Sequence, residues 1–223
     1  MNTKLSRCFL IGCDKNVEWI LPWFLSNYIR SGTSSFSDLV LADFGMNELT
    51  RKYIIDTYPF IKMINLSYFP EKGWFKKPKS MIEASKIYDE VCWIDMDIEI
   101  LSDISPVFDY IEPNKLCMVE DRPWTKRRGE KWHNSGVVAF RDLPDILIKW
   151  ADEVSKNPMI GDQEVLHSII KDPLNRMIHI KDLPNEYNWL RLQIEVDKED
   201  SNMKKTIHWT GPKGKEKIRD MLK

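Results

Sequence analysis

Asp95 and Asp97 stand one residue apart at the end of the apolar run Val91–Ile94. A strand that ends in two carboxylates delivers them where open α/β sheets bind ligands, outside the carboxyl ends of the strands. Strand alternation turns the two side chains to the same side. Such a pair can hold a hard divalent cation through oxygen ligands. A cation there can bridge the oxygens of a diphosphate and neutralise a leaving group. The structural alternative is a strand-end turn with two solvated carboxylates, because Asp is also a common turn residue.

Three further segments carry candidate chemistry. In Thr206–Lys215, His208 can complete an Asp-Asp-His metal shell. Gly211 and Gly214 let backbone N–H groups approach phosphate there, and Lys213 or Lys215 adds positive charge. In His133–Phe140, Asn134 and Ser135 can hydrogen-bond a polyol ahead of an apolar strand; the plain alternative is a turn entering that strand. In Gly161-Asp162-Gln163-Glu164, an acid–amide pair suits sugar hydroxyls, although Asp162 also reads as a helix N-cap.

The elements that must position these groups alternate. Short apolar runs at 8–13, 39–42, 61–66, 91–94, 116–119 and 137–140 read as strands, with late short ones at 178–180 and 206–208. Helical spacing covers 16–30, 47–58, 78–88, 143–154 and 163–170, while 197–205 reads as a surface loop and 213–223 as a basic tail. Strands alternating with helices predict an α/β fold with a mixed, mainly parallel central sheet, here as one domain over residues 1–223.

Composition narrows the class. The 223 residues carry 33 basic and 34 acidic side chains, a net charge of −1, which argues against a polycation coating nucleic acid. Hydrophobic residues make up 43%, enough for a packed core. No stretch approaches the roughly 18 apolar residues of a membrane span. Lys4 and Arg7 precede only the short run Cys8–Ile11, too brief for a signal peptide, so a cytoplasmic protein is expected. Cys8, Cys13, Cys92 and Cys117 lack zinc-ligand spacing and read as buried reduced thiols.

Taken in order, these segments resemble the GT-A glycosyltransferases, especially the retaining family-eight type. The resemblance runs from Phe9–Asn16 with Cys13-Asp14-Lys15-Asn16, through Trp74–Pro78 and the helix leading to Asp95-Met96-Asp97. It continues with Asn134-Ser135-Gly136-Val137, Asp162-Gln163, Leu183–Asn188 and His208…Gly211. It implies a nucleotide-sugar donor, with UDP the expected nucleotide, and a divalent cation, manganese with magnesium as the alternative. It implies that Asp95, Asp97 and His208 hold the metal. Cys13, Asp14, Asn16, Lys77, Asp95, Gly211 and Lys213 or Lys215 would bind the donor. Gln163, Asn134 and Asp162 would act at the sugar, with retention at the anomeric carbon. The family's last loop runs His-x-x-Gly-x-x-Lys-Pro-Trp; here the lysine falls one place early or one late, and no Pro-Trp follows.

Three other readings compete. A haloacid-dehalogenase-like phosphatase also uses Asp-x-Asp, but on its first strand. A non-catalytic nucleotide-sugar-binding module would keep the fold without activity. The acceptor, expected to be a glycan, lipid-linked or protein hydroxyl, could instead be a modified base in DNA. The stretch Trp124–Trp132 interleaves aromatic and basic residues suited to stacking bases and touching phosphate. Its plainer reading is a mobile, solvated lid over the donor.

Overall fold

The computed structural model describes residues 5–35 and 37–223; Lys4 lies outside them. In chain order the strands are β1 (Leu5–Cys13), β2 (Asp38–Asp43), β3 (Ile61–Asn65), β4 (Tyr88–Ile94) and β5 (Ile98–Ile100). They continue with β6 (Leu116–Glu120), β7 (His133–Arg141), β8 (Ile180–Leu183), β9 (Trp189–Leu190) and β10 (Thr206–His208). The α-helices are α1 (Leu21–Arg30), α2 (Glu48–Thr57), α3 (Lys77–Ser85), α4 (Arg122–Arg128) and α5 (Asp145–Lys156). After them come α6 (Asp162–Ile170), α7 (Pro173–His179), α8 (Arg191–Glu195) and α9 (Gly211–Met221).

Seven strands form the central sheet in the order β3-β2-β1-β4-β7-β6-β8. β3, β2, β1 and β4 run parallel, β7 is antiparallel to both its neighbours, and β8 is parallel to β6. The mixed, mainly parallel sheet expected from the alternation is the one observed. Alternation along β1 splits the core. Phe9, Ile11 and Cys13 pack on one face with Phe24 and Tyr28 of α1. Cys8 and Leu10 pack on the other with Met81 of α3, Trp150 of α5 and Leu166 of α6. Burial on both faces explains why the strand reads as a continuous apolar run.

Some local expectations change. Only 129–132 of the 124–132 stretch is loop; residues 124–128 are helical, since Asp121 accepts the N–H of Trp124 at 3.1 Å, Pro123 opens the first turn, and Gly129 closes α4 at φ 69°. Residues 178–179 end a helix and not a strand, because Asp172 accepts the N–H groups of Leu174 and Asn175 and Pro173 begins the turn. The basic tail is helix α9, seated by Ile218 and by Gly214. A Cβ on Gly214 would lie 1.9 Å from the carbonyl oxygen of Trp209, so only glycine lets the helix close onto β10.

A small second sheet, β5-β10-β9, places the late histidine. β10 pairs antiparallel with β5, setting His208 opposite Ile98. The Trp209 N–H donates to the carbonyl of Asp97 at 2.9 Å. Residues 97 and 208, far apart in sequence, thereby become neighbours.

Candidate active site

The carboxyl ends of the central strands open onto a cavity of about 820 Å³, within the range of small-molecule sites. Strand order reverses direction between β1 and β4, the topological position where such sheets bind ligands. Gly12, Asp14, Asn16, Lys77, Asp95 and Asp97 line it, as do Asn134, Asp162, Gln163, His208 and Lys215. Cys13 does not: its side chain lies in the core, since alternation sends it opposite to Gly12 and Asp14. Gly211 and Lys213 are also outside the lining.

The two aspartates face the cavity for a different reason than alternation. β4 stops at Ile94, and Ile98 N–H donates to the Asp95 carbonyl at 3.1 Å, closing a turn over 95–98. Met96 anchors that turn in the core. Ligand atoms of Asp95, Asp97 and His208 all lie within 4.8 Å of one another. His208 Nε2 is 3.2 Å from Asp97 Oδ1 and 3.7 Å from Asp95 Oδ2.

A chain of hydrogen bonds sets the histidine tautomer. The backbone N–H of Gly136 donates to Asn134 Oδ1 at 2.9 Å, which fixes that amide's orientation. Asn188 Nδ2 donates to the same oxygen at 2.8 Å, so Asn188 Oδ1 faces His208 Nδ1 at 3.0 Å. Nδ1 must therefore carry the proton. Nε2 is then the nitrogen that faces the two carboxylates, 3.2 Å from Asp97 Oδ1, and the one available to ligate a cation. The donor set of one imidazole nitrogen and carboxylate oxygens can hold a divalent cation. Gly136 is part of this packing, since a Cβ there would sit 2.4 Å from His208 Cε1. Asn188→Ala should weaken Mn2+ binding about 10- to 100-fold by calorimetry; an unchanged dissociation constant would remove the orienting role.

The charges around the two aspartates are paired. Lys77 is buried, its side chain 3% exposed, and lies 2.9 Å from Asp95 Oδ1 and 3.2 Å from Asp162 Oδ2. It also donates to the Ser135 hydroxyl and carbonyl at 3.2 and 3.1 Å. Burial alone would lower the lysine's pKa, but Asp162 and Asp95 outweigh it and raise it. Burial raises the Asp95 carboxyl despite Lys77 and His208. For Asp97, burial is outweighed by His208 and Lys215, and the carboxyl is held below the usual range. The Trp93 indole N–H adds a 2.6 Å bond to Asp95 Oδ1, and its ring centroid lies 5.5 Å from the Lys77 ammonium.

Sequence reasoning did not find Asp121, and it named Asn188 only as the end of the Leu183–Asn188 segment, with no role. Asp121 is buried and accepts from Asn134 Nδ2 at 3.1 Å and Gln163 Nε2 at 3.0 Å. Burial raises its pKa, against the hydrogen bonds it accepts. The signal for it was an acid at the end of the apolar run 116–119, followed by Arg-Pro. Asn134 also donates to Gln163 Oε1 at 2.9 Å, so its amide is occupied in orienting neighbours. Asp162 is no N-cap; that position is Gly161, and the carboxylate instead accepts from Ser135 Oγ at 2.9 Å.

No protein-family model matches the chain, and no curated protein matches it. Solved structures do. The galactosyltransferase LgtC, in complex with donor and acceptor sugar analogues, superposes with a TM-score of 0.64 at 14% identity. The match covers 92% of this chain and 87% of that one. A glycosyltransferase involved in glycosylation of the major capsid of PBCV-1 gives 0.62 at 13% identity, over 97% and 98% of the two chains. The chain has the GT-A glycosyltransferase fold. GlyE of Streptococcus pneumoniae shares it, with a TM-score of 0.65 at 16% identity over 92% of this chain and 55% of its own. In this GT-A fold Asp-x-Asp follows the fourth strand, which sets aside the haloacid-dehalogenase-like alternative. Among the described residues no helix is long and apolar enough to cross a membrane.

Proposed function

We propose that this protein transfers a glycosyl group from a UDP-sugar to an acceptor hydroxyl, with retention, using a divalent cation that we take to be manganese. The observation that carries the reading is the Asp95, Asp97 and His208 cluster, gathered at the end of β4 in the cavity of a GT-A fold. These three residues would hold the cation, which when bound supplies positive charge against the departing diphosphate.

The chain's own groups do the rest. Asp14 and Asn16, at the end of β1, face the donor's base and ribose. Asp14 accepts the backbone N–H of Asn16 at 2.9 Å and its amide at 3.2 Å, which shapes that loop. Lys215 pairs with Asp97 at 3.3 Å and is placed to shift to a diphosphate oxygen; it takes that role over the exposed Lys213. Gln163 presents a fixed amide to the sugar, held by Asp121, Asn134 and the Ser135 N–H. A dipole that need not reorganise favours the charge developing at the anomeric centre. Asp162, on Lys77 and Ser135, holds a donor hydroxyl. Free, buried cysteines support a cytoplasmic setting.

The test is thermal stability against a panel of nucleotide sugars with Mn2+. A ligand at about 100 times its dissociation constant adds about 2.7 kcal/mol, or a Tm rise of about 5–10 °C for a chain of this size. No rise with any nucleotide diphosphate or nucleotide sugar would sink the reading. NMR assignment of an inverted product anomer would remove retention alone.

A further inference from the structure

Helix α2 turns most of its apolar residues to water. Ile54 is its one buried side chain, while Leu49 is 83% exposed and Tyr53 46%. Leu49 and Tyr53 stand four residues apart and share a face of the helix. The apolar strip continues past the helix end. Tyr53 meets Tyr58 edge-on at 6.0 Å, and Tyr58 meets Phe60, itself 45% exposed, at 6.1 Å.

Beside this ridge a slot of about 260 Å³ runs between α1 and α2. Glu18, Leu21 and Pro22 line it from the α1 side, and Leu49, Tyr53 and Ile54 from α2. Its shape is pinned, because Glu18 accepts the Asn47 N–H at 3.0 Å and the Asn47 amide as well, tying the chain ahead of α1 to the start of α2. The slot is smaller than the roughly 300–1,000 Å³ of small-molecule sites. It suits a protruding apolar side chain, as a hole takes a knob.

A knob and a hole of one apolar character, side by side on one face, are self-complementary. A twofold axis beside them sets each copy's Leu49 in the other's slot, the isologous arrangement of closed dimers. The area agrees. Pro22, Leu49, Tyr53, Tyr58 and Phe60 together expose on the order of 400 Å² of apolar surface, about what an interface of roughly 800 Å² per partner needs when a little over half of it is apolar. Glu48, Lys52 and Asp56 put both signs of charge on the exposed surface of α2, and Arg51 is taken up by Asp43 at 2.7 Å. Mixed charge suits a second copy, whereas an anionic bilayer needs a basic patch. Strand addition is not the route. The edge strand β3, which follows Phe60, carries Lys62 paired with Asp38 at 2.5 Å, and an edge lysine guards against such pairing. We infer that the α1–α2 face is a twofold interface between two copies of this chain, with Leu49 as the side chain that enters the other copy's slot. The inference does not rest on the transferase reading.

The test is sedimentation velocity on the full chain, with circular dichroism of every variant. The wild type should run as a dimer of twice the chain mass, with a dissociation constant of about 10 μM or tighter, as interfaces of this size range from micromolar to picomolar. Leu49→Asp should raise that constant by about 100-fold and Tyr53→Ala by about tenfold, the losses of central anchors. Leu49 faces water in the single chain, so the Leu49→Asp spectrum should match wild type. Leu174→Asp, at a leucine 66% exposed on α7, should leave the dimer within about twofold. A wild type that stays monomeric at about 100 μM overturns the proposal, as does an open-ended series of larger species. So does a folded Leu49→Asp chain that remains dimeric, or a Leu174→Asp chain that dissociates. Flotation of wild type but not of Leu49→Asp with vesicles of phosphatidylcholine and about 30% phosphatidylglycerol overturns it too, and assigns the face to a lipid surface.

Discussion

Asp97→Ala will cut metal-dependent turnover of a nucleotide sugar by about 10²–10³-fold, the range for removing one preorganised charge-stabilising group. The side chain touches His208 Nε2 at 3.2 Å and Lys215 at 3.3 Å, so its loss takes away a ligand oxygen and frees the lysine. The fold should persist. The contact that fastens this turn to the small sheet runs through the Asp97 carbonyl and the Trp209 N–H, which alanine keeps. Calorimetric Mn2+ titration and circular dichroism separate the two effects. Full turnover by the variant, or full wild-type turnover in excess chelator, would contradict the metal assignment.

Lys77→Met will destabilise the metal-free protein by about 3–5 kcal/mol, the usual cost of removing one partner from a buried ion pair. For a chain of this length that is a fall in Tm of roughly 6–20 °C. One ammonium here offsets both Asp95 and Asp162, and methionine keeps the volume without the charge. The pH dependence has a defined sign. In wild type the lysine's pKa is raised by folding, so its contribution is complete below about pH 10.4 and lost above it as the folded pKa is passed. In the variant, Asp95 loses the charge that opposes its burial, so its folded pKa rises further above the unfolded value. The native state then binds more protons than the unfolded one, and stability recovers as pH falls toward 5. A Tm deficit that is flat from pH 8 to pH 5 would show that the cost is packing and not charge.

The carboxylate pair, the late histidine and the acid–amide pair were legible because each sits at the end of an apolar run, and strand ends are what periodicity locates best. Asp121 was not, and Asn188 showed only as the end of the Leu183–Asn188 segment, because their importance lies in which amide faces which oxygen across separate elements, and no local pattern carries that. The choice between Lys213 and Lys215 was closed to the sequence while 213–223 read as a tail. Once it is helix α9, two residues are about 200° of rotation, so one lysine meets Asp97 and the other meets water. The reading of the 124–132 stretch changed for a similar reason: a cap at Asp121 and a left-handed Gly129 make its part up to Arg128 a helix, and helical phase decides which of those side chains see the cavity.

The cysteines described as core residues have a consequence for handling the protein. All four are free and buried, and burial drives each thiol's pKa up, that of Cys117 to about 11. A thiol that is neither ionised nor accessible does not react with disulfide reagents or alkylators. Cys8, Cys13 and Cys92 lie on β1 and β4, adjacent strands at the centre of the sheet, and Cys117 lies on β6. Labelling at the first three therefore registers the opening of that centre and not the breathing of surface loops, so the chain carries a built-in chemical clock for its own unfolding.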